Sequence, residues 1–208
     1  MTKTLTIPYH QCENDFSMAA EAKIDEYTWG GPYQPKAKAL LYHTDDAICI
    51  CLQAEEKADH MRIVEDGLTG RACCDSCMEF FLMPCPEKDE RYFNFELTAG
   101  GAIFLGVGHD RYDNTLLKGT DLQQFDIQTE IKTKNGMACW QVQAKIPYQF
   151  LRDTLGIDMD FAKGTHMRGN IYKCADDCLE KHYGTWNVVG TEHPDYHQPG
   201  YFGDFYIG

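Results

Sequence analysis

The sequence predicts an all-β domain built from two antiparallel sheets, with one or two short helices. Three observations carry this. Short segments rich in β-branched and aromatic residues recur between turn signals along all 208 residues. Asn135-Gly136 joins two alternating segments, and Asn-Gly suits a type I′ hairpin because both residues accept positive φ. The helical stretches needed between the strands of a parallel sheet find no room. The length fits one domain spanning residues 1–208.

In chain order the predicted strands are Leu5–Pro8, Lys38–Tyr42, Ala47–Ala54, Cys77–Met83, Tyr92–Thr98, Ala102–Val107, Asp126–Thr133, Ala138–Ile146, His166–Tyr172 and Phe202–Ile207. Gly100-Gly101 separates two of them. Within Ala138–Ile146, Trp140, Val142, Ala144 and Ile146 share one face, the alternation of a half-buried strand. Trp140 therefore reads as core. Pro147 followed by Tyr148–Thr154 and Gly156 reads as a short helix, with proline at its start and glycine at its end. Met18–Ala22 and Glu55–Met61 read as single helical turns.

Thirty-two acidic residues against 19 basic ones give a net charge of −13. Such a surface repels phosphate backbones and anionic lipid, which argues against nucleic-acid and membrane partners. No stretch approaches the ~18–20 apolar residues of a membrane span. The ten cysteines permit disulfides, but the N-terminus carries no export signal. The expectation is cytoplasmic, with mostly free thiols and Cys49 and Cys51 buried. A secreted protein is the alternative if a signal has been removed.

Only two serines are present, Ser17 and Ser76, and neither sits in G-x-S-x-G, which removes most serine-hydrolase readings. Cys74, Cys77, Cys174 and Cys178 have zinc-like spacing, but Cys77 opens a predicted strand, whose geometry argues against a zinc knuckle. Pro194 and Pro199 make the His193/His197 segment a loop, which removes a helical H-x3-H site. Glu79 and Glu96 stand inside apolar–aromatic strands. A carboxylate there faces solvent or meets a partner, and Arg168 and Asn170 are candidate partners. Aromatics mix with Asn, Gln and His in Tyr183-Gly-Thr-Trp186-Asn and Tyr196-His-Gln-Pro-Gly-Tyr201. That composition suits sugars, whose flat faces stack on rings while polar groups bond their hydroxyls.

Asp75-Ser-Cys-Met-Glu-Phe-Phe-Leu-Met-Pro, Tyr92-Phe-Asn-Phe-Glu-Leu-Thr-Ala-Gly-Gly and Trp140-Gln-Val-Gln-Ala-Lys-Ile-Pro-Tyr resemble the carbohydrate-binding module family 9-like domains. So do Trp29 with Tyr33-Gln-Pro, Arg168-Gly-Asn-Ile-Tyr-Lys-Cys, His182-Tyr-Gly-Thr-Trp and His197-Gln-Pro-Gly-Tyr-Phe-Gly, in order from about Ala22 to Ile207. The resemblance implies an antiparallel β-sandwich, immunoglobulin- or jelly-roll-like and related to DOMON domains. It implies non-catalytic binding of a saccharide, with a glycoside hydrolase as the associated partner. It requires no cofactor, and structural calcium occurs in the family. Family members clamp a terminal sugar between two tryptophans. Cys73 stands where one of them would be, Trp186 matches the other, and Glu79 matches the family's strand carboxylate. The expected ligand-binding set is Trp186, Glu79, Asn94, Arg168, Asn170 and Cys73. Two other readings stay open: a DOMON-like haem or redox domain using His166 or Met167, and an enzyme of the Cys–His or glycoside-hydrolysing type.

Overall fold

The computed structural model describes residues 2–12 and 14–208. Fourteen strands follow in chain order: β1 (Thr4–Ile7), β2 (Ala20–Ile24), β3 (Glu26–Gly30), β4 (Lys36–His43), β5 (Ala47–Lys57), β6 (Cys77–Met83), β7 (Tyr92–Thr98), β8 (Ile103–Gly108), β9 (Thr115–Leu116), β10 (Gln128–Lys134), β11 (Met137–Pro147), β12 (His166–Cys174), β13 (His182–Thr185) and β14 (Gly203–Ile207). One helix, α1 (Tyr148–Leu155), follows β11.

The strands form two sheets. One runs β1-β14-β12-β6-β7-β8-β9, with β13 bridging β12 and β3; the other runs β10-β11-β5-β4-β2. Among the described strand pairs only β1 with β14 is parallel. The alternation read from the sequence fixes what lies between the sheets. Ile48, Ile50 and Leu52 of β5 and Trp140, Val142 and Ile146 of β11 join Met78, Phe80 and Leu82 of β6 and Phe93, Phe95 and Leu97 of β7 in one core. Asn135 and Gly136 turn the β10–β11 hairpin with φ of 52° and 75°. In α1, Tyr148, Phe150, Leu151 and Leu155 are buried, and Gly156 caps the end at φ 69°.

Two elements differ from the sequence reading. Ala20–Ile24 is a strand paired with β4, because Ala22 and Ile24 alternate into the core. Of Glu55–Met61, the first residues extend β5 and only Ala58–His60 form a 3₁₀ turn. Strands β3 and β13 pair with each other and escape prediction, since Gly30 and Gly184 and their polar neighbours weaken any alternation. Cys49 and Cys51 are buried, but on the outer face of the five-stranded sheet, opposite in direction to Ile48 and Ile50. None of the ten cysteines is in a disulfide. No described helix is long and apolar enough to cross a membrane.

A polar rivet joins the sheets. Lys173 of β12 and Glu56 of β5 are fully buried and pair at 2.9 Å. Lys173 also donates to Cys174 O and to His182 Nε2, both at 2.8 Å, so its three protons are satisfied. Trp140 Nε1 and Ser76 Oγ donate to Glu56 at 2.8 and 2.9 Å. Burial pushes the Glu56 carboxyl up, but the charge and hydrogen bonds of Lys173 overcome it and hold the group below its ordinary range. Burial, then Lys173, pushes His182 down to about 4. A neutral His182 fits its role as acceptor from the ammonium.

Candidate functional site

A second apolar cluster covers the outer face of the nine-stranded sheet, where Phe81, Tyr92, Tyr172, Tyr196 and Phe202 pack together. Strand alternation places Cys77, Glu79 and Phe81 on this face from β6, and Tyr92, Asn94 and Glu96 from β7. The register sets Glu79 directly opposite Glu96, with Tyr172 on the other side of Glu79. Above these carboxyls opens a cleft of about 170 Å³. Its walls are Cys73, Cys174, Asp176, Tyr183, Tyr196, His197, Asp195 and Arg111.

Local chemistry fastens each wall. The 3₁₀ turn Ala72–Cys74 presents Cys73. Trp29 Nε1 donates to Thr191 O at 2.7 Å and Tyr172 Oη to Tyr196 O at 3.1 Å, which ties down the segment bearing Asp195 and His197. Tyr196 stacks on Tyr172 with centroids 4.0 Å apart. Arg111 reaches Asp195 with two donors at 2.8 and 3.1 Å. The loop that carries Arg111 folds back onto β8, where Gly108 leaves room: a Cβ there would stand 2.7 Å from the Asn114 Cα.

The floor is acidic and nearly dry. Glu79 is 4 % exposed, and its only protein donor is the Cys174 thiol at 3.0 Å on Oε1. Its second oxygen has no donor among the described residues. Glu96 accepts from Asn94 Nδ2 at 2.9 Å. Burial and then the Glu96 charge raise the Glu79 carboxyl well above its ordinary range. Burial pushes Glu96 up to about 7, against the Asn94 hydrogen bond. His197, bonded to Tyr92 Oη at 2.7 Å, is pushed down to about 4 by burial and then Arg111. The Cys77 contact and burial hold the Cys174 thiol protonated.

Of the residues expected at the site, Glu79 and Cys73 line this cleft, and Asn94 lies beside it as the support of Glu96. The other three are elsewhere. Trp186 is a core residue, 4 % exposed and stacked on Phe205 at 5.0 Å with planes 12° apart. Its ring covers Gly203 so closely that a Cβ there would stand 2.5 Å from Cζ3. Arg168 bonds Phe202 O at 3.0 Å and stands 3.9 Å from Asp204 Oδ1, and bonds neither Glu79 nor Glu96. Asn170 is consumed in clipping Asn187, donating to its O at 2.8 Å and accepting its N–H at 2.9 Å. His166 is held by Glu87 and Asp204 at 2.9 Å each, and Met167 is fully buried in the core; neither lines the cleft.

Glu96, Arg111, Asp176, Tyr183, Asp195, Tyr196 and His197 complete the walls. Glu96 carried a signal as a carboxylate inside an apolar strand, and Tyr183, Tyr196 and His197 fell in the aromatic loop clusters. Arg111 carried none. No three His, Cys, Asp or Glu side chains among the described residues converge as a metal site. A wider concavity of about 600 Å³ lies on the five-stranded sheet, edged by Lys23, Lys38, Glu55 and Lys132. Its lysines are spent on neighbouring glutamates, as Lys38 on Glu21 at 2.7 Å and Lys132 on Glu130 at 2.8 Å. The smaller cleft combines walls and aromatic residues with a nearly buried carboxyl, one oxygen of which has no described protein donor.

A β-sandwich with a walled, carboxyl-floored cleft over one outer sheet face is the architecture of a binding module. The family model of carbohydrate-binding family 9 matches residues 12–207, and the chain belongs to that family. A carbohydrate-binding protein from Bacteroides uniformis, described as putative in its own crystal structure, superposes with a TM-score of 0.84 at 24% identity, covering 100% of both chains. A family 9 carbohydrate-binding module from Caldicellulosiruptor kristjanssonii, solved with cellotriose, superposes at 0.65 with 12% identity over 99% of this chain and 93% of that one. The same module solved with glucose gives 0.65 and 12% over 99% and 96%. No curated protein matches in sequence.

Proposed function

We propose that the cleft over the nine-stranded sheet holds one terminal unit of a saccharide and performs no chemistry on it. The carrying observation is Glu79, 4 % exposed at the cleft floor with one oxygen that no described protein donor bonds, which a sugar hydroxyl would bond. The volume of about 170 Å³ is below the ~300–1,000 Å³ of pockets for drug-sized ligands and suits a single ring. Half-buried Tyr183 brings an aromatic ring to its wall, beside the buried Tyr196. Membership of family 9 and the glucose and cellotriose complexes of the Caldicellulosiruptor module support the same reading.

Hydrolysis is not part of this reading. Glycosidases place one carboxyl on each side of the scissile bond. Glu79 and Glu96 instead share one floor, side by side on adjacent strands. The chain would serve a glycoside hydrolase by holding it near its substrate. Ten cysteines outside any disulfide support a reducing compartment. Without a tryptophan clamp, affinity rests on hydrogen bonds, about millimolar, or roughly −4 kcal/mol. Calorimetric titration with glucose, xylose and cellotriose tests the proposal: saturable binding to the protein, lost in Glu79→Ala, is expected. No binding by any sugar would overturn it.

A further inference from the structure

The cleft floor has an electrostatic peculiarity that a neutral sugar leaves unresolved. Glu79 and Glu96 are cross-strand partners, both buried, and like charges placed directly opposite repel. A structural pair of this kind is ordinarily closed by a lysine or arginine. Here no described cation bonds either carboxyl. The one cationic wall residue, Arg111, is committed to Asp195 through two donors, and its charge reaches Glu79 and Glu96 through space without a bond to either. Asp176 adds a further acid to the wall. The nearest donor to Glu79 is a thiol, the weakest available. Glu79, 4 % exposed and lining the cleft, thus has one oxygen without a described protein donor.

We infer that the cleft selects a saccharide bearing a primary amine, whose ammonium sits between Glu79 and Glu96 and supplies the cation the protein withholds. This rests on the sugar reading above and narrows it. A charge-assisted hydrogen bond is about twice as strong as a neutral one and gains further in a partly dry cleft. A bare metal ion fits less well, since no third ligand converges with the two carboxyls. An amino sugar brings its own ring to fill the remaining space. The raised pKa values of the two carboxyls agree: the pair is a proton store that an ammonium can displace. In that exchange the ligand nitrogen keeps its protons, and a carboxyl proton passes to buffer.

The test compares glucosamine, glucose and N-acetylglucosamine by calorimetry on the full chain near neutral pH, in two buffers of different ionisation enthalpy. The expectation is glucosamine tighter than glucose by about tenfold. N-Acetylglucosamine, with the same skeleton and no charge, should match glucose at best. The glucosamine heat should differ between buffers, reporting proton release. Glu79→Gln and, separately, Glu96→Gln should bring the glucosamine-to-glucose ratio close to unity. Glucose binding as tightly as glucosamine overturns the amine inference and leaves the sugar reading standing. Failure of all three sugars to bind folded protein overturns both.

Discussion

Glu79 and Glu96 face each other across the β6–β7 pair, both nearly buried, with no described lysine or arginine bonded to either. This relationship defines the cleft floor and leaves a thermodynamic trace. Both carboxyls have folded pKa values above the unfolded one, Glu96 at about 7. The folded state therefore binds more protons than the unfolded state above about pH 4.5. The stability these groups contribute is complete below that point and is lost as pH rises through their folded values, for Glu96 through about 7.

Glu79→Gln should accordingly stabilise the protein increasingly as pH rises above the ordinary carboxylate range, because it removes a carboxyl whose ionisation the fold opposes, and lose that advantage at acid pH. The slope removed is up to about 1.4 kcal/mol per pH unit for one proton. Urea denaturation of both proteins across pH measures it. His182 acts in the opposite direction. Its pKa is lowered to about 4, so its contribution is full above 6.5 and lost as pH falls from there toward 4. Only the difference between the two proteins isolates the Glu79 part.

Lys173→Met should destabilise by about 3–5 kcal/mol, because it strands the Glu56 charge between the sheets. The double variant Lys173→Met with Glu56→Leu should recover a large part of that loss. Chemical denaturation of the two variants decides; equal losses would mean that the pair carries no coupling.

Trp186→Ala should cost about 3–5 kcal/mol, the range for a buried aromatic, through loss of its packing on Phe205 and Gly203. Sugar affinity measured on the folded fraction should not change. A stable variant with abolished binding would return Trp186 to the site.

The Trp186 outcome also marks where sequence reading stops. Alternation around Trp140 and the Asn135-Gly136 turn located β11 and its buried face, because a period of two depends only on local backbone geometry. Glu79 was visible for a related reason: a carboxylate amid Met, Phe and Leu is a local contradiction that demands a site. Arg168 and Asn170 were placed on the correct strand, but alternation assigns a face and not a neighbour. Their partners, Phe202 O and Asn187, come from segments distant in sequence. Trp186 lay among loop signals, and only the pairing of β12 with β13 and the passage of Gly203 beneath its ring turn it inward. Arg111 enters through a loop folded back over Gly108, a long-range fit that no local pattern encodes.

Cys73→Trp should tighten sugar binding, by about tenfold at most, since the side chain forms part of the cleft wall and a ring there adds a stacking face. Titration of this variant alongside the parent measures the gain. A folded variant with no gain would mean that Cys73 does not face the bound ring.

The central claim is that the ligand lies over the nine-stranded sheet and not on the wider concavity of the opposite sheet. Chemical-shift mapping of isotope-labelled protein during titration with a monosaccharide tests it most directly. The account predicts saturable shifts at Glu79, Glu96, Arg111, Tyr183 and His197, with Trp186 and the Gln53–Gln141 region unmoved. Shifts centred on Lys38, Gln53 and Gln141 would contradict it.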